Sequence, residues 1–133
     1  MWDRDKAVII TNNDWVCEKY KVMIEIIYVE TYEEVLIKTR DMVHDRHHLL
    51  THPQASSLKP NQTPYRSVIV YPNDEDDMDD NMSDILLIEK CLEVFYQWQK
   101  IAPTPREYTD RVKRDFKVID ASMIDSVIPR IFD

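Results

Sequence analysis

The order of apolar segments predicts an α/β protein. Its sheet is small, open and mainly parallel, with three to four strands flanked by helices and a C-terminal helical segment. Three observations carry this reading. Short β-branched runs alternate with stretches of helical periodicity. Capping signatures open the helical stretches. The segment Val22–Val29 is apolar almost throughout, as expected for a strand buried on both faces of a parallel sheet.

Along the chain, Ala7-Val-Ile-Ile10 reads as a first strand, ending at the polar turn Thr11-Asn-Asn-Asp14. Asn13 or Asp14 can cap a short helix running to about Tyr20, and Val22–Val29 is the second strand. Thr31-Tyr-Glu-Glu34 is a capping box: the threonine accepts a free N–H of the first turn while the glutamate reaches back. Tyr32, Val35, Leu36, Thr39, Met42 and Val43 then follow at helical spacing, to about Asp45. Ser67-Val-Ile-Val-Tyr71 is the third strand, stopped by Pro72, and Leu49–Thr51 is a candidate for a short fourth.

Ser83 can cap the next helix, whose apolar face runs from Ile85 to Trp98 and stops near Ile101. Thr104-Pro-Arg-Glu107 is a second capping box, with proline at the favoured first position. It opens a helix striped by Tyr108, Val112 and Phe116, and Ser122–Ile128 reads as a separate last helix ended by Pro129. The 133 residues suit a single domain, with a sheet-and-helix core over 1–101 and C-terminal helices over 102–133. So small a sheet leaves apolar surface to cover, by the last helices or by a symmetric homodimer.

Composition excludes several function classes. Hydrophobic residues at 44% and charged residues at 32% are those of a globular protein, and no apolar run approaches a membrane span. The N-terminus lacks the pattern of a signal peptide, and Cys17 and Cys91 form no disulfide framework, so the expected compartment is the cytoplasm. Of the net charge of −8, nearly all falls after residue 72, chiefly in the run Asp74–Asp80. Such a surface repels phosphate backbones and anionic lipid, so neither nucleic acid nor membrane is an expected partner. That run lacks EF-hand spacing and reads as a solvated loop.

The chain contains no glycine, where average usage would give about nine. It therefore has neither a P-loop nor a Gly-x-Gly-x-x-Gly fingerprint, and no nucleotide cofactor is implied. Asn12, Asn13, Asn61, Asn73 and Asn81 are the residues best suited to left-handed turns in its place.

All four histidines, His44, His47, His48 and His52, fall within nine residues. If the helix continues, His44 and His48 share a face at a metal-binding spacing. No cysteine lies nearby and no open-site pattern is legible, so acid/base or anion-binding work is preferred to a metal, and no metal is expected. The polar run Leu50–Ile69 follows, longer than a plain connection needs. It brings Ser57, Lys59, Asn61, Thr63, Tyr65 and Arg66 together between stiffening prolines, an arrangement suited to a carboxylate or phosphate. The candidate binding residues are these six with His44, His48, His52, Asn12 and Asn13. No nucleophile elbow or ordered triad appears, so the catalytic residues are unknown.

Ile9-Ile-Thr-Asn-Asn13, Leu49-Leu-Thr-His-Pro53, Lys59-Pro-Asn-Gln-Thr-Pro-Tyr65 and Ser67-Val-Ile-Val70 resemble the GrdX family over roughly residues 7–95. Those are small proteins encoded beside components of glycine, sarcosine and betaine reductases, and Ser56 stands where the family usually has glycine. The resemblance implies a cytoplasmic accessory protein of amino-acid reduction in an anaerobe. Two functional readings follow. In one, a non-catalytic accessory binds a protein component of the reductase complex. In the other, a small enzyme or binding domain holds an anionic metabolite through its histidines and the Lys-Pro-Asn loop. A loop leading from a helix into a parallel strand sits at the edge opposite the usual ligand edge, which favours the first.

Overall fold

The computed structural model describes residues 2–54, 63–73, 81–101 and 108–132. Strand β1 (Val8–Thr11) leads through helix α1 (Asp14–Tyr20) to β2 (Glu25–Tyr28), then through α2 (Tyr32–His44) to β3 (His47–Leu49). Strand β4 (Ser67–Pro72), helix α3 (Met82–Ile101) and helix α4 (Asp110–Ile131) complete the α/β fold. No helix among the described residues is long and apolar enough to cross a membrane.

The strands lie in the order β2-β1-β4-β3. β1 pairs parallel with β2, Val8 opposite Glu25, but antiparallel with β4, Thr11 opposite Ser67. β3 also runs antiparallel to β4, with Leu49 opposite Val70. The sheet is therefore mixed, not mainly parallel as the sequence predicts. The cause is β3. It takes the chain directly from α2 and pairs antiparallel with β4, so β4 runs against its neighbours. Two histidines in a three-residue strand give almost no apolar signal, so the sequence assigns the crossover to β4 and sets the short strand two residues late.

This correction moves the long loop. Strands β1, β2 and β3 all end at the edge where β4 begins, so the described ends of the loop lie there. That is the edge at which open α/β sheets hold ligands. The geometric objection to a ligand-binding loop disappears.

Strand β2 is also shorter and more exposed than its apolar run suggests. It pairs only with β1 and has one open edge, and Val22, 85% exposed, belongs to the turn after α1. Residues 12–24 nonetheless suffice for a parallel crossover, with Asn13 Oδ1 capping α1 at the Trp15 N–H (3.1 Å). Thr31 caps α2 at the Glu34 N–H (3.1 Å), and the Glu34 carboxylate takes the Thr31 hydroxyl rather than a backbone N–H. Helix α3 begins one residue before Ser83, behind Asn81, whose carbonyl receives the Asp84 and Ile85 N–H groups. The Thr104–Glu107 box lies outside the described residues. Thr109 caps α4, which continues without a break where two helices are predicted. Nothing in Val118-Ile-Asp-Ala121 interrupts a helix, and Pro129 falls in the last turn of α4, close to its end at Ile131.

Alternation along the central strands builds a core on both faces. Ile9, Ile69 and Tyr71 pack with Val16 and Tyr20 of α1 and Ile124 of α4. Val8, Ile10, Val68 and Val70 point the other way, against Val35 of α2. Leu36 and Val43 of α2 meet Ile88, Leu92 and Phe95 of α3 in an outer layer. Burying a side chain of this size contributes about 1.5–3 kcal/mol. The central strands and α2 are thus the buried frame of the sheet.

Candidate functional site

Strand register places two hydroxyls opposite each other at the sheet edge. Thr11 pairs with Ser67, on the face shared by Ile9 and Ile69, and so both meet α4. The Thr11 and Ser67 hydroxyl oxygens are 2.7 Å apart, and the Ser67 Oγ–H donates to Asp120 Oδ2 at 2.7 Å. Asn13 Nδ2 donates to the same oxygen (3.1 Å) and to the Lys117 carbonyl (3.0 Å). The Asn13 N–H donates to Thr11 Oγ1 (2.9 Å). Because the single Ser67 proton goes to Asp120, Thr11 is the donor to Ser67. Every hydrogen in this chain points toward the carboxylate.

Asp120 is only 6% exposed. Burial pushes its carboxyl above the usual range, against the pull of Ser67, Asn13 and the Arg66 charge. Asn12 clamps the end of the long loop beside it. Its Oδ1 accepts the Arg66 N–H (2.8 Å), and its Nδ2 donates to the Pro64 carbonyl (2.8 Å). Arg66 is 2% exposed, with its guanidinium carbon 5.4 Å from the centre of the Tyr32 ring. Burial raises both the Tyr32 hydroxyl and the Cys91 thiol, the latter to about 11, and the Arg66 charge draws both back. Cys91 is therefore a neutral thiol and a poor nucleophile.

A cavity of about 230 Å³ opens between α4 and the strand ends. Leu50, Thr51, His52, Arg66 and Ser67 line one side. Asp120, Met123, Ile124 and Val127 line the other, at the i, i+3, i+4, i+7 spacing of one helix face. The Thr51 hydroxyl accepts the Ile69 N–H (3.0 Å), which holds residues 50–52 alongside β4. Drug-sized pockets are roughly 300–1,000 Å³, so this cavity suits a smaller molecule. Three residues before Asp120 on α4, Lys117 pairs with Asp14 (2.8 Å) and lies over the rings of Trp15 and Tyr65.

The cavity wall on α4 belongs to the part of the chain that the comparisons identify. The model of the GrdX-like protein family matches residues 8–129, from β1 to the last turns of α4. The chain belongs to the GrdX-like protein family. No curated protein and no solved structure matches it. The family match runs well past residue 95, where the sequence resemblance ends, and takes in Lys117 and Asp120. The helix that closes the cavity is thus a part of the GrdX-like chain.

This GrdX-like fold gathers some of the predicted residues and separates others. Asn12, Asn13, Thr63, Tyr65, Arg66 and His52 come together at the edge where β4 begins. Thr63 is buried and spends its hydroxyl on the Tyr65 backbone (3.3 Å). His52 lines the cavity, and its Nδ1 accepts the Gln54 N–H (2.9 Å). Ser57, Lys59 and Asn61 lie outside the described residues. His44 and His48 do not share a helix face, because α2 ends at His44 and Arg46 turns left-handed with φ of 61°. His44 Nε2 lies 3.1 Å from Glu89, and His48 Nδ1 lies 3.4 Å from Asp84. The described residues contain no group of three or more His, Cys, Asp or Glu placed to share a metal ion. Sequence reasoning misses Asp120 and Lys117. The available signal is a carboxylate on the apolar stripe of α4, four residues before Ile124 and seven before Val127.

Proposed function

We propose that this chain is a non-catalytic accessory protein of the glycine, sarcosine and betaine reductase system, and that it holds a small carboxylate-bearing metabolite. The family supports the system. The observation that supports the binding role is the buried Arg66 lining a small cavity at the ligand edge of the sheet. A guanidinium there meets a carboxylate in a setting of low dielectric, where a charge-assisted bond is worth most. Its orientation is already set by the Tyr32 ring and the Asn12 clamp, so little entropy is lost on binding. Calorimetry of the purified chain with acetate, amino acids and acetyl phosphate tests this reading. Arg66→Ala weakens the binding by roughly 10- to 150-fold, the worth of one charge-assisted hydrogen bond, and Lys59→Ala weakens it less.

A second reading, docking to a protein component of the reductase, draws support from α3. Met82, Leu86 and Tyr96 form an exposed apolar stripe, Leu86 being 63% exposed. Leu86, Leu92 and Tyr96 line a shallow groove against Arg40 of α2, with Glu89, Lys90 and Glu93 among the stripe. Absence of heat with every small ligand, together with co-purification of a reductase component that Leu86→Glu abolishes, favours docking alone.

A further inference from the structure

We infer that the open edge of β2 is the interface of a symmetric homodimer, in which β2 pairs antiparallel with its copy and two four-stranded sheets become one. Among the described residues the sheet has two outer strands, β2 and β3, and the fold treats them differently. At β3, side chains from the start of α3 meet the backbone. Asn81 Nδ2 donates to the His47 carbonyl (3.1 Å), and the Leu49 N–H donates to Asp84 Oδ2 (3.2 Å). Strand β2 has no such cover among the described residues.

The register fixes which groups of β2 stand open. The Val29 N–H donates to the Thr11 carbonyl (2.9 Å), so by alternation Glu25 and Ile27 also turn their backbone groups toward β1. Ile26 and Tyr28 turn theirs outward. Ile24, next in that series, gives its N–H to the Tyr20 carbonyl (2.9 Å). An outward pair with one residue between them is self-complementary. A two-fold axis beside Ile27 sets Ile26 opposite the partner's Tyr28, and Tyr28 opposite the partner's Ile26. Each outward N–H then meets an outward carbonyl, and no outward group of either strand is left over.

Charge and side chains suit the same occupant. The whole chain carries a net charge of −8, so two copies repel in most orientations. Within β2 the charged residue is Glu25, and this register sets it opposite the partner's Val29 rather than another carboxylate. Ile27 meets the partner's Ile27, and the exposed Tyr28 lies beside the partner's Ile26. The devices that keep an edge single are missing: no lysine, proline or bulge interrupts Glu25–Tyr28. A strand of four residues makes a small interface, so the dimer has a dissociation constant on the order of 10–100 μM.

Sedimentation velocity of the full chain from about 5 μM to about 1 mM tests the proposal. The expected result is a shift from monomer to dimer mass across that range. Hydrogen exchange at the Ile26 and Tyr28 amides slows about fivefold at the top of it. Tyr28→Pro removes an outward N–H and leaves the bonds to β1 in place, so it raises the dissociation constant at least about tenfold. Tyr28→Lys keeps the backbone and adds a charge at the edge; it also weakens the dimer, and it decides the matter if the proline variant does not fold. Leu86→Glu, on the exposed side of α3, leaves the dimer unchanged. A chain still monomeric at about 1 mM overturns the proposal. So does a dimer that the deciding variant leaves intact, or one that Leu86→Glu dissociates.

Discussion

Two polar clusters in this chain have opposite histories. The four histidines sit within nine residues of sequence, and the fold disperses them. His44 ends α2 against Glu89 of α3, His47 Nδ1 lies 3.0 Å from both the Met42 and Asp45 carbonyls, and His48 meets Asp84. Thr11, Asn13, Ser67 and Asp120 span more than a hundred residues, and the fold gathers them into one hydrogen-bonded chain. Neighbours in sequence are separated when a helix gives way to a strand, since the strand sends successive side chains to opposite faces. Distant residues meet when strand register and a helix stripe coincide. Burial then decides the energetics. The His44–Glu89 contact is exposed and contributes little, whereas the Asp120 chain lies where an unmet donor is costly.

The largest expected effect comes from cutting the second cluster. Asp120→Ala leaves the Ser67 and Asn13 donors without their acceptor and is expected to cost about 3 kcal/mol, or about 10 °C in Tm. His44→Ala removes only an exposed contact and is expected to change stability by less than about 0.5 kcal/mol. Urea unfolding of both variants measures the contrast, which collapses if the two losses are equal. Next in size is Asn12→Ala. It takes the side-chain acceptor from the Arg66 N–H and a donor from the Pro64 carbonyl, at about 2 kcal/mol. Hydrogen exchange at the Arg66 amide is expected to accelerate with it, because the clamp is local.

Titration sharpens the comparison further. The folded protein binds the Asp120 proton more tightly than the unfolded chain does, since burial raises the carboxyl. The contribution of Asp120 to stability is therefore least above the raised folded value, where both states are ionised. It grows as pH falls through the raised folded value and levels off below the ordinary value of 3.8. Measured against Asp120→Asn, which does not titrate there, the unaltered protein gains relative stability as pH falls through the raised folded value toward 3.8. Relative stability that instead falls on acidification would mean that the hydrogen bonds outweigh burial and hold the carboxyl below its ordinary value.

How much of this was legible follows from which signals are local. The Thr11-Asn-Asn-Asp14 turn, the Thr31 cap and the apolar faces of α2 and α3 are written in neighbouring residues, and all appear in the fold. Asn12, Asn13 and Arg66 are legible as polar residues at strand ends. The direction of β4 is not, because it depends on whether His47–Leu49 pairs, and two histidines carry no apolar pattern to announce a strand. Without that direction the meeting of Thr11 and Ser67 is invisible, and the loop is assigned to the wrong edge. Asp120 is hidden for a different reason. The sequence divides α4 in two near it, which removes the stripe that makes a buried carboxylate conspicuous.

The smallest predicted effect concerns the turn that disperses the histidines. The left-handed positions among the described residues are Arg46 (φ 61°) and Asn81 (φ 45°). Asparagine visits this conformation readily, and Asn81 Nδ2 also bonds the Val43 carbonyl (2.8 Å) and the His47 carbonyl (3.1 Å), locking α2 to β3. Arginine has no such compensation in its backbone. A side chain with a Cβ costs about 1–2 kcal/mol in this region, while glycine there loses about 0.5–1 kcal/mol more chain entropy on folding. Arg46→Gly is therefore expected to stabilise the protein by roughly 0.5–1 kcal/mol. The Arg46 side chain is exposed, and the carbonyl that accepts the Asn73 N–H (2.9 Å) belongs to the backbone and survives the change. Chemical denaturation read at constant m-value checks the gain. A loss of stability would mean that the arginine side chain, not the turn geometry, holds the end of α2 against β3.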